Sequence, residues 1–258
     1  MNNRFFKKHN VRDFSEYTNK EGKKLAENIC FRSCLLEKFS QKEIAYLKNS
    51  KLATVIDLRN EKEVEEKPDP LMKGVTSYHY SLIEGSEFGI SKEEAAKIDI
   101  NDVTTYSLIP DMRDVYKKIV LSHAATEGLK ESLALIFDEK REGAILWHCT
   151  QGKDRCGLLS VAFMTALGYD EQTIIEDYVK SDAYTKGKGK KYYWLIRIFK
   201  RNKKLAHMAE GCYRADRAYI EAAFEAVKEK YGSIEMFVEK ELALDKKKVE
   251  TFKKKYMR

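Results

Sequence analysis

Ala144-Ile-Leu-Trp147 runs into His148-Cys149-Thr150-Gln151-Gly152-Lys153-Asp154-Arg155-Cys156-Gly157, and from there into Leu158, Leu159, Val161, Ala162, Phe163 and Leu167 before Gly168. The first four residues form a short β-rich apolar run, and the last stretch is apolar nearly all round, as a buried helix is. Between them stands a polar loop in which a cysteine and an arginine bracket five residues. A loop turning into a helix aims successive backbone N–H groups into one concavity, and these donors with the helix dipole bind a tetrahedral dianion. The same field lowers the pKa of a thiol at the loop's start from about 8.5 into a range of about 3.5–7.5. Cys149 therefore reads as a thiolate able to attack phosphorus, leaving a phosphocysteine for water to hydrolyse. Arg155 offers a planar fork that pairs with two phosphate oxygens and stabilises transition-state charge.

Outward from this segment the chain reads as one unit. There is no internal repeat or low-complexity linker, and the only prolines are Pro68, Pro70 and Pro110. Ser40-Gln-Lys-Glu43 has capping-box spacing and opens a helix ending near Asn49, after which Ala53–Asp57 forms a short strand. Ser91-Lys-Glu-Glu94 repeats the cap pattern, and Leu129, Leu133, Ile136 and Phe137 share a helical face before Gly143. Asp170 caps a helix carrying Ile174, Ile175 and Tyr178, and Ile220, Ala223, Phe224 and Val227 mark another that ends at Gly232. Helices alternating with short strands in the first half point to an α/β fold, a mostly parallel sheet flanked by helices, with a helical C-terminal half.

With 258 residues, 43% hydrophobic and 34% charged, the composition suits a soluble globular α/β protein. The net charge of +7 favours anionic substrates or surfaces, while the lysine runs at 246–248 and 253–255 read as solvated helix faces rather than a nucleic-acid site. Cys30, Cys34, Cys149, Cys156 and Cys212 are an odd number without a dense disulfide framework, which fits a reducing compartment. The expected location is the cytoplasm, or outside the cell where a leader has been removed. Cys30 and Cys34, four apart, share a helical face if that stretch is helical, but without further ligands they read as packing cysteines.

The Cys-x5-Arg within His-Cys-x-x-Gly-Lys-Asp-Arg-x-Gly resembles the signature of the cysteine-dependent protein tyrosine phosphatase superfamily. Its Lys-Asp-Arg triplet is similar to the atypical bacterial and fungal tyrosine phosphatases, which include enzymes acting on phosphoinositides. Asn10-Val-Arg-Asp13, Phe31-Arg-Ser33, Val55-Ile-Asp-Leu-Arg59 with Glu63, Glu176-Asp-Tyr178 and Tyr231-Gly-Ser233 extend the likeness over most of the chain. The resemblance implies one phosphatase domain over 1–258, with segment 1–39 packed on the core and a helical region at 212–258. It also implies Cys149 as nucleophile, Arg155 as clamp, and Thr150, Gln151, Gly152, Lys153 and Asp154 in the substrate-binding loop. Lys153 would be a second cation beside the phosphate, and Asp154 the proton donor. No cofactor or metal follows from it. The expected substrates are phosphotyrosyl proteins first and phosphoinositides second.

Two positions depart from that pattern. Cys156 stands where the family has Thr or Ser, and a thiol is a weaker donor than a hydroxyl. Arg12-Asp-Phe-Ser-Glu16 replaces the usual Arg-Asp-Leu-Gly-Gly. A leaving alcohol or phenol needs a proton, and Asp111, following Pro110, competes with Asp154 for that role; an ordinary helix cap is the simpler account of Asp111. His148 reads as orienting the loop, and Arg12, Asp13, Arg32, Asp57 and Arg59 as structural ion pairs. The cation and aromatic mixture from Lys186 to Lys204 is compatible with a membrane surface or with a solvated basic helix. A non-catalytic phosphate-binding module and a sulfurtransferase are the rival functions.

Overall fold

The computed structural model describes residues 8–83 and 111–258, so the cap pattern at Ser91–Glu94 and Pro110 lie outside the described residues. Among the described residues, five strands form one sheet: β1 (Arg12–Asp13), β2 (Cys30–Ser33), β3 (Leu52–Asp57), β4 (Thr76–His79) and β5 (Ala144–His148). Their spatial order is β1-β2-β5-β3-β4; only β1 is antiparallel to its neighbour. The strand that feeds the Cys149 loop therefore lies in the middle, paired to β2 at Phe31 and Leu146 and to β3 at Ile56 and Trp147.

A middle strand must be apolar on both faces, and β5 is fully buried along its length. Side chains alternate across the sheet. Ile145, Trp147, Cys30 and Ile56 enter one core, while Leu146, Phe31 and Val55 enter the other. The second, smaller core is covered by Ile44 and Leu47 of α1 (Gln41–Asn49), whose N-terminus has the capping box expected at Ser40 and Glu43. A short α2 (Glu61–Glu66), capped by Asn60, links β3 towards the edge strand β4.

The larger core lies under α3 (Met112–Val120), α4 (His123–Ile136), α5 (Asp154–Ala166), α6 (Glu171–Lys180), α9 (Arg217–Tyr231) and α10 (Lys246–Tyr256). Between α6 and α9, α7 (Asp182–Phe199) and α8 (Lys203–Gly211) pack as a helical hairpin. The buried helix expected after the loop is α5, which is buried from Asp154 to Met164. Trp147 packs against Phe14 at 4.9 Å and edge-on to Phe163 at 5.3 Å. Each such fully buried aromatic or aliphatic chain stabilises the fold by about 1.5–3 kcal/mol. Among the described residues, no helix is long and apolar enough to cross a membrane.

Three strands escape the periodicity of the sequence. β1 has two residues, β2 carries Arg32 and Ser33 among its four, and β4 is exposed at every position, so none shows apolar alternation. The strand also corrects the helical-face reading of Cys30 and Cys34: Cys30 opens an extended segment, and the two side chains enter opposite cores.

Candidate active site

The loop from Cys149 to Lys153 leaves the carboxyl end of the central strand and enters α5 at Asp154, the usual place for ligands on a parallel sheet. Gly152 makes the turn. Its φ is +65°, and a Cβ there would run into the Ser33 carbonyl at the end of β2.

The loop is held from behind by groups brought from far along the chain. Asn10 Nδ2 donates to the carbonyls of Gln151 (3.2 Å) and Gly152 (2.9 Å), and Arg32 Nη2 donates to those of Gly152 (2.9 Å) and Lys153 (3.0 Å). A trans peptide sets C=O and N–H on opposite sides. Anchoring these carbonyls therefore turns the amides of Gly152, Lys153 and Asp154 the other way, which is the arrangement an anion cradle requires.

Arg32 and Arg12 are themselves fixed by one buried carboxylate on α6. Asp177 accepts from Arg12 Nε at 2.9 Å, from Tyr17 Oη at 3.0 Å and from Arg32 Nη1. Burial opposes its ionisation, but the two guanidiniums outweigh it and hold Asp177 down at about 2. Arg12 also donates to Ser181 Oγ at 3.0 Å, and Arg32 to Ser160 Oγ at 3.0 Å. The structural-pair reading of Arg12 and Arg32 agrees with this geometry.

Arg155 is aimed by Glu63 of α2. Its Nη2 lies 3.0 Å from Glu63 Oε1, its Nη1 bonds Oε2, and Nη2 also reaches Thr150 Oγ1 at 3.2 Å. Thr150 in turn donates to Glu63 Oε1. The Glu63 carboxylate is half-buried, which raises its pKa, but the Arg155 hydrogen bonds and charge bring it to about 2.

Cys149 is only 2% exposed. Burial alone pushes its thiol up. A hydrogen bond from the Cys156 thiol, the Arg155 charge and the Cys156 backbone N–H outweigh that and bring it down to about 5. Cys156, the residue that departs from the family pattern, has its Sγ 3.7 Å from the Ser33 carbonyl and 3.8 Å from that of Trp147, so its one proton is shared between those acceptors and the Cys149 sulfur, and burial together with that sulfur raises its own pKa.

Lys153 and Asp154 point into a different set of contacts. Lys153 Nζ donates to the carbonyls of Cys212 (2.9 Å) and Arg214 (3.0 Å) beyond α8 and lies 3.2 Å from Asp154 Oδ1, the ion pair a purely structural carboxylate would make. Asp154 Oδ1 also accepts from Tyr116 Oη on α3, which lies 2.7 Å from Tyr178 Oη on α6. Asp111 caps α3 as the simpler reading expected: its carboxylate accepts from the Arg113 amide at 2.9 Å and pairs with the Arg113 side chain.

Below the loop, His148 Nε2 lies 2.7 Å from Asp69 Oδ2 and 3.9 Å from Asp57 Oδ1. Burial would push His148 down, but the Asp69 and Asp57 carboxylates outweigh it and raise its pKa. These three side chains lie close enough together to hold a metal ion, with ligand atoms within 4.8 Å of one another. The Arg59 guanidinium already bridges the same carboxylates, 2.8 Å from Asp57 and 3.1 Å from Asp69, and supplies the compensating cation.

Asn10, Asp69, Tyr116 and Asp177 had no role assigned from sequence. Asn10 and Asp177 sit inside the quoted segments Asn10–Asp13 and Glu176–Tyr178, so the signal was present but carried no geometry. Asp69 lies between two prolines and Tyr116 on an amphipathic helix, where nothing local marks either.

Residues 4–258 match the family described as the tyrosine phosphatase family. The chain is 23% identical over 235 residues to the triple specificity protein phosphatase PtpB of Mycobacterium tuberculosis, covering 79% of this chain and 82% of that protein. It is 28% identical over 136 residues to a tyrosine-protein phosphatase of Nostoc commune, covering 52% of this chain and 42% of the relative. A cysteine loop with a lowered thiol pKa, an oriented arginine and a parallel sheet accord with that match, and the chain belongs to the tyrosine phosphatase family, as a hydrolase of the protein tyrosine phosphatase type.

Proposed function

We propose that the protein hydrolyses phosphate monoesters through a phosphocysteine, with Cys149 as nucleophile, Arg155 as clamp and Asp154 as proton donor. The observation that carries this reading is the Cys149 thiol brought to about 5 beside an arginine whose fork is held by Glu63. At neutral pH the sulfur is a thiolate. It attacks phosphorus in line, the S–P bond forms, the ester P–O bond breaks, and the leaving oxygen takes a proton from Asp154. Water then attacks phosphorus, Asp154 recovers a proton from that water, and the S–P bond breaks to release phosphate and the thiolate.

Arg155 and the loop amides stabilise the charge on the equatorial oxygens. Asp154 is preferred to Asp111 because it stands at the loop's exit, whereas Asp111 is engaged at a helix cap with Arg113. Lys153 acts in this scheme by fixing Asp154 and tying the loop to the chain after α8. His148, bound by Asp69, orients the strand end from which Cys149 departs.

Phosphotyrosyl proteins are the first substrate class. Phosphoinositides are the second, favoured by the net charge of +7 and by likeness to a relative named for three specificities. Vanadate-sensitive turnover of a phosphotyrosyl peptide, abolished in Cys149→Ser while the peptide still binds, supports the proposal. Binding without turnover in the wild type identifies a phosphate-binding module, and persulfide formation from thiosulfate identifies a sulfurtransferase. Initial rates on the peptide and on soluble phosphoinositides rank the substrates, and a strong preference for the second puts phosphoinositides first.

A further inference from the structure

The α7–α8 hairpin concentrates the charge of the whole chain. Between Asp182 and Glu210 there are nine Lys or Arg and no Asp or Glu, so the rest of the chain, with 39 cations against 41 acids, is slightly negative. The hairpin's ion pairs, Arg214 with Asp182 and His207 with Glu210, lie at its base and on α8. Its tip carries Lys200, Arg201, Lys203 and Lys204, on the turn and the first turn of α8.

The same hairpin carries the main cluster of exposed large apolar side chains among the described residues. Trp194 is 60% exposed, Ile198 64% and Phe199 75%, with Leu195 beside them. The spacing i, i+1, i+4, i+5 puts these four on one face of α7. Beside that stripe α7 packs on α8 and the chain beyond it, where Tyr193 lies tilted against His207 with ring centroids 4.9 Å apart and Tyr192 stacks on Tyr213. A free apolar stripe rimmed by lysine and arginine is the composition of a helix that seats in the headgroup region of a bilayer.

We propose that this face docks the protein on an anionic lipid surface, with Trp194, Ile198 and Phe199 entering the interface and the tip cations pairing with headgroup phosphates and carboxylates. A second copy of the chain does not fit, since it would bring two strongly positive hairpins together. An acidic soluble polymer satisfies the charge but leaves Ile198 and Phe199 without a purpose. The hairpin is rooted at the candidate site: Lys153 bonds the Cys212 and Arg214 carbonyls at the end of α8, and Arg12 bonds Ser181 at the start of α7. Docking therefore tethers the candidate site to the lipid surface through the hairpin's base.

The protein carries its own probe. It has two tryptophans, and Trp147 is fully buried, so a change in emission on adding vesicles reports Trp194. With vesicles of phosphatidylcholine containing phosphatidylserine, at low salt, the emission shifts to the blue, brominated lipid quenches it, and the protein sediments with the lipid. Pure phosphatidylcholine gives neither shift nor sedimentation. Lys203→Ala with Lys204→Ala lowers affinity for the charged vesicles about tenfold or more, and Ile198→Glu with Phe199→Glu abolishes the shift.

Both double variants keep wild-type rates on a soluble aryl phosphate. Binding is read without turnover and in Cys149→Ser as well, so it stands or falls separately from the proposed chemistry. Absence of shift and quenching with charged vesicles overturns the inference, as does equal binding to neutral ones. Equally tight binding to heparin that survives Ile198→Glu with Phe199→Glu overturns it in favour of a soluble polyanion.

Discussion

Replacing Cys156 by alanine isolates the contact through which this chain departs from its family pattern. The Cys149 thiol lies at about 5 against an ordinary value of 9.0, a difference worth about 5 kcal/mol in favour of the thiolate at about 1.4 kcal/mol per pH unit. Burial works against that figure, so the Cys156 thiol, the Arg155 charge and the Cys156 amide together supply more than the net. A hydrogen bond to a charged acceptor contributes about 1.5–3 kcal/mol, and a thiol belongs at the low end of that range. Cys156→Ala therefore raises the Cys149 pKa by about one pH unit, and Cys156→Ser, which keeps a donor, does not.

The assay is the pH dependence of alkylation by iodoacetamide. Burial pushes Cys30 up to about 12 and raises Cys34, Cys156 and Cys212, so the acid-range reactivity belongs to Cys149 alone. The same shift links to stability. A group whose folded pKa is depressed stabilises the fold fully above its unfolded value, here 9.0, and loses that contribution as pH falls through about 5. Alkylation of the wild type with a midpoint near 9, or an identical midpoint in Cys156→Ala, would refute the reasoning.

Asp177→Asn leaves two buried guanidiniums short of their counter-charge and costs about 3–5 kcal/mol of stability at neutral pH, measured by urea unfolding. Because the Asp177 carboxylate lies at about 2 rather than 3.8, its contribution is complete above 3.8 and fades as pH falls through 2; a difference from wild type that grows on acidification contradicts the assignment. Glu63→Gln frees the Arg155 fork and lowers kcat/KM on a phosphotyrosyl peptide about tenfold to a hundredfold, equivalent to about 1.5–3 kcal/mol; an unchanged value means that Glu63 does not orient the clamp. Tyr116→Phe removes a donor to Asp154 and slows esters of poor leaving groups more than activated aryl phosphates. Equal slowing of both, or a stronger effect from Asp111→Asn, moves the proton-donor role away from Asp154.

The central strand, the loop and α5 were legible because their signals are local. An apolar run, a turn glycine and a cap each depend on neighbours within a few residues, as do the helices capped at Ser40 and Asp170 and the one ended at Gly232. The Cys149 and Arg155 pair was legible for the same reason, since the two bracket one short loop, Arg155 in the first turn of α5, and that loop's geometry follows from entering a helix. β1, β2 and β4 were not, because two polar-rich segments and an exposed edge owe their conformation to the neighbour they pair with.

The supporting shell was decided by tertiary structure alone. Asp177 stands 165 positions from Arg12 and 145 from Arg32, and Glu63 stands 92 from Arg155. Residue type and spacing declare that a carboxylate or a guanidinium is present, and they also restrict a short loop to a few shapes. Which carboxylate neutralises which guanidinium depends on how the sheet orders its strands, because Coulomb and hydrogen-bond energies act over ångströms in space and not over positions in the chain.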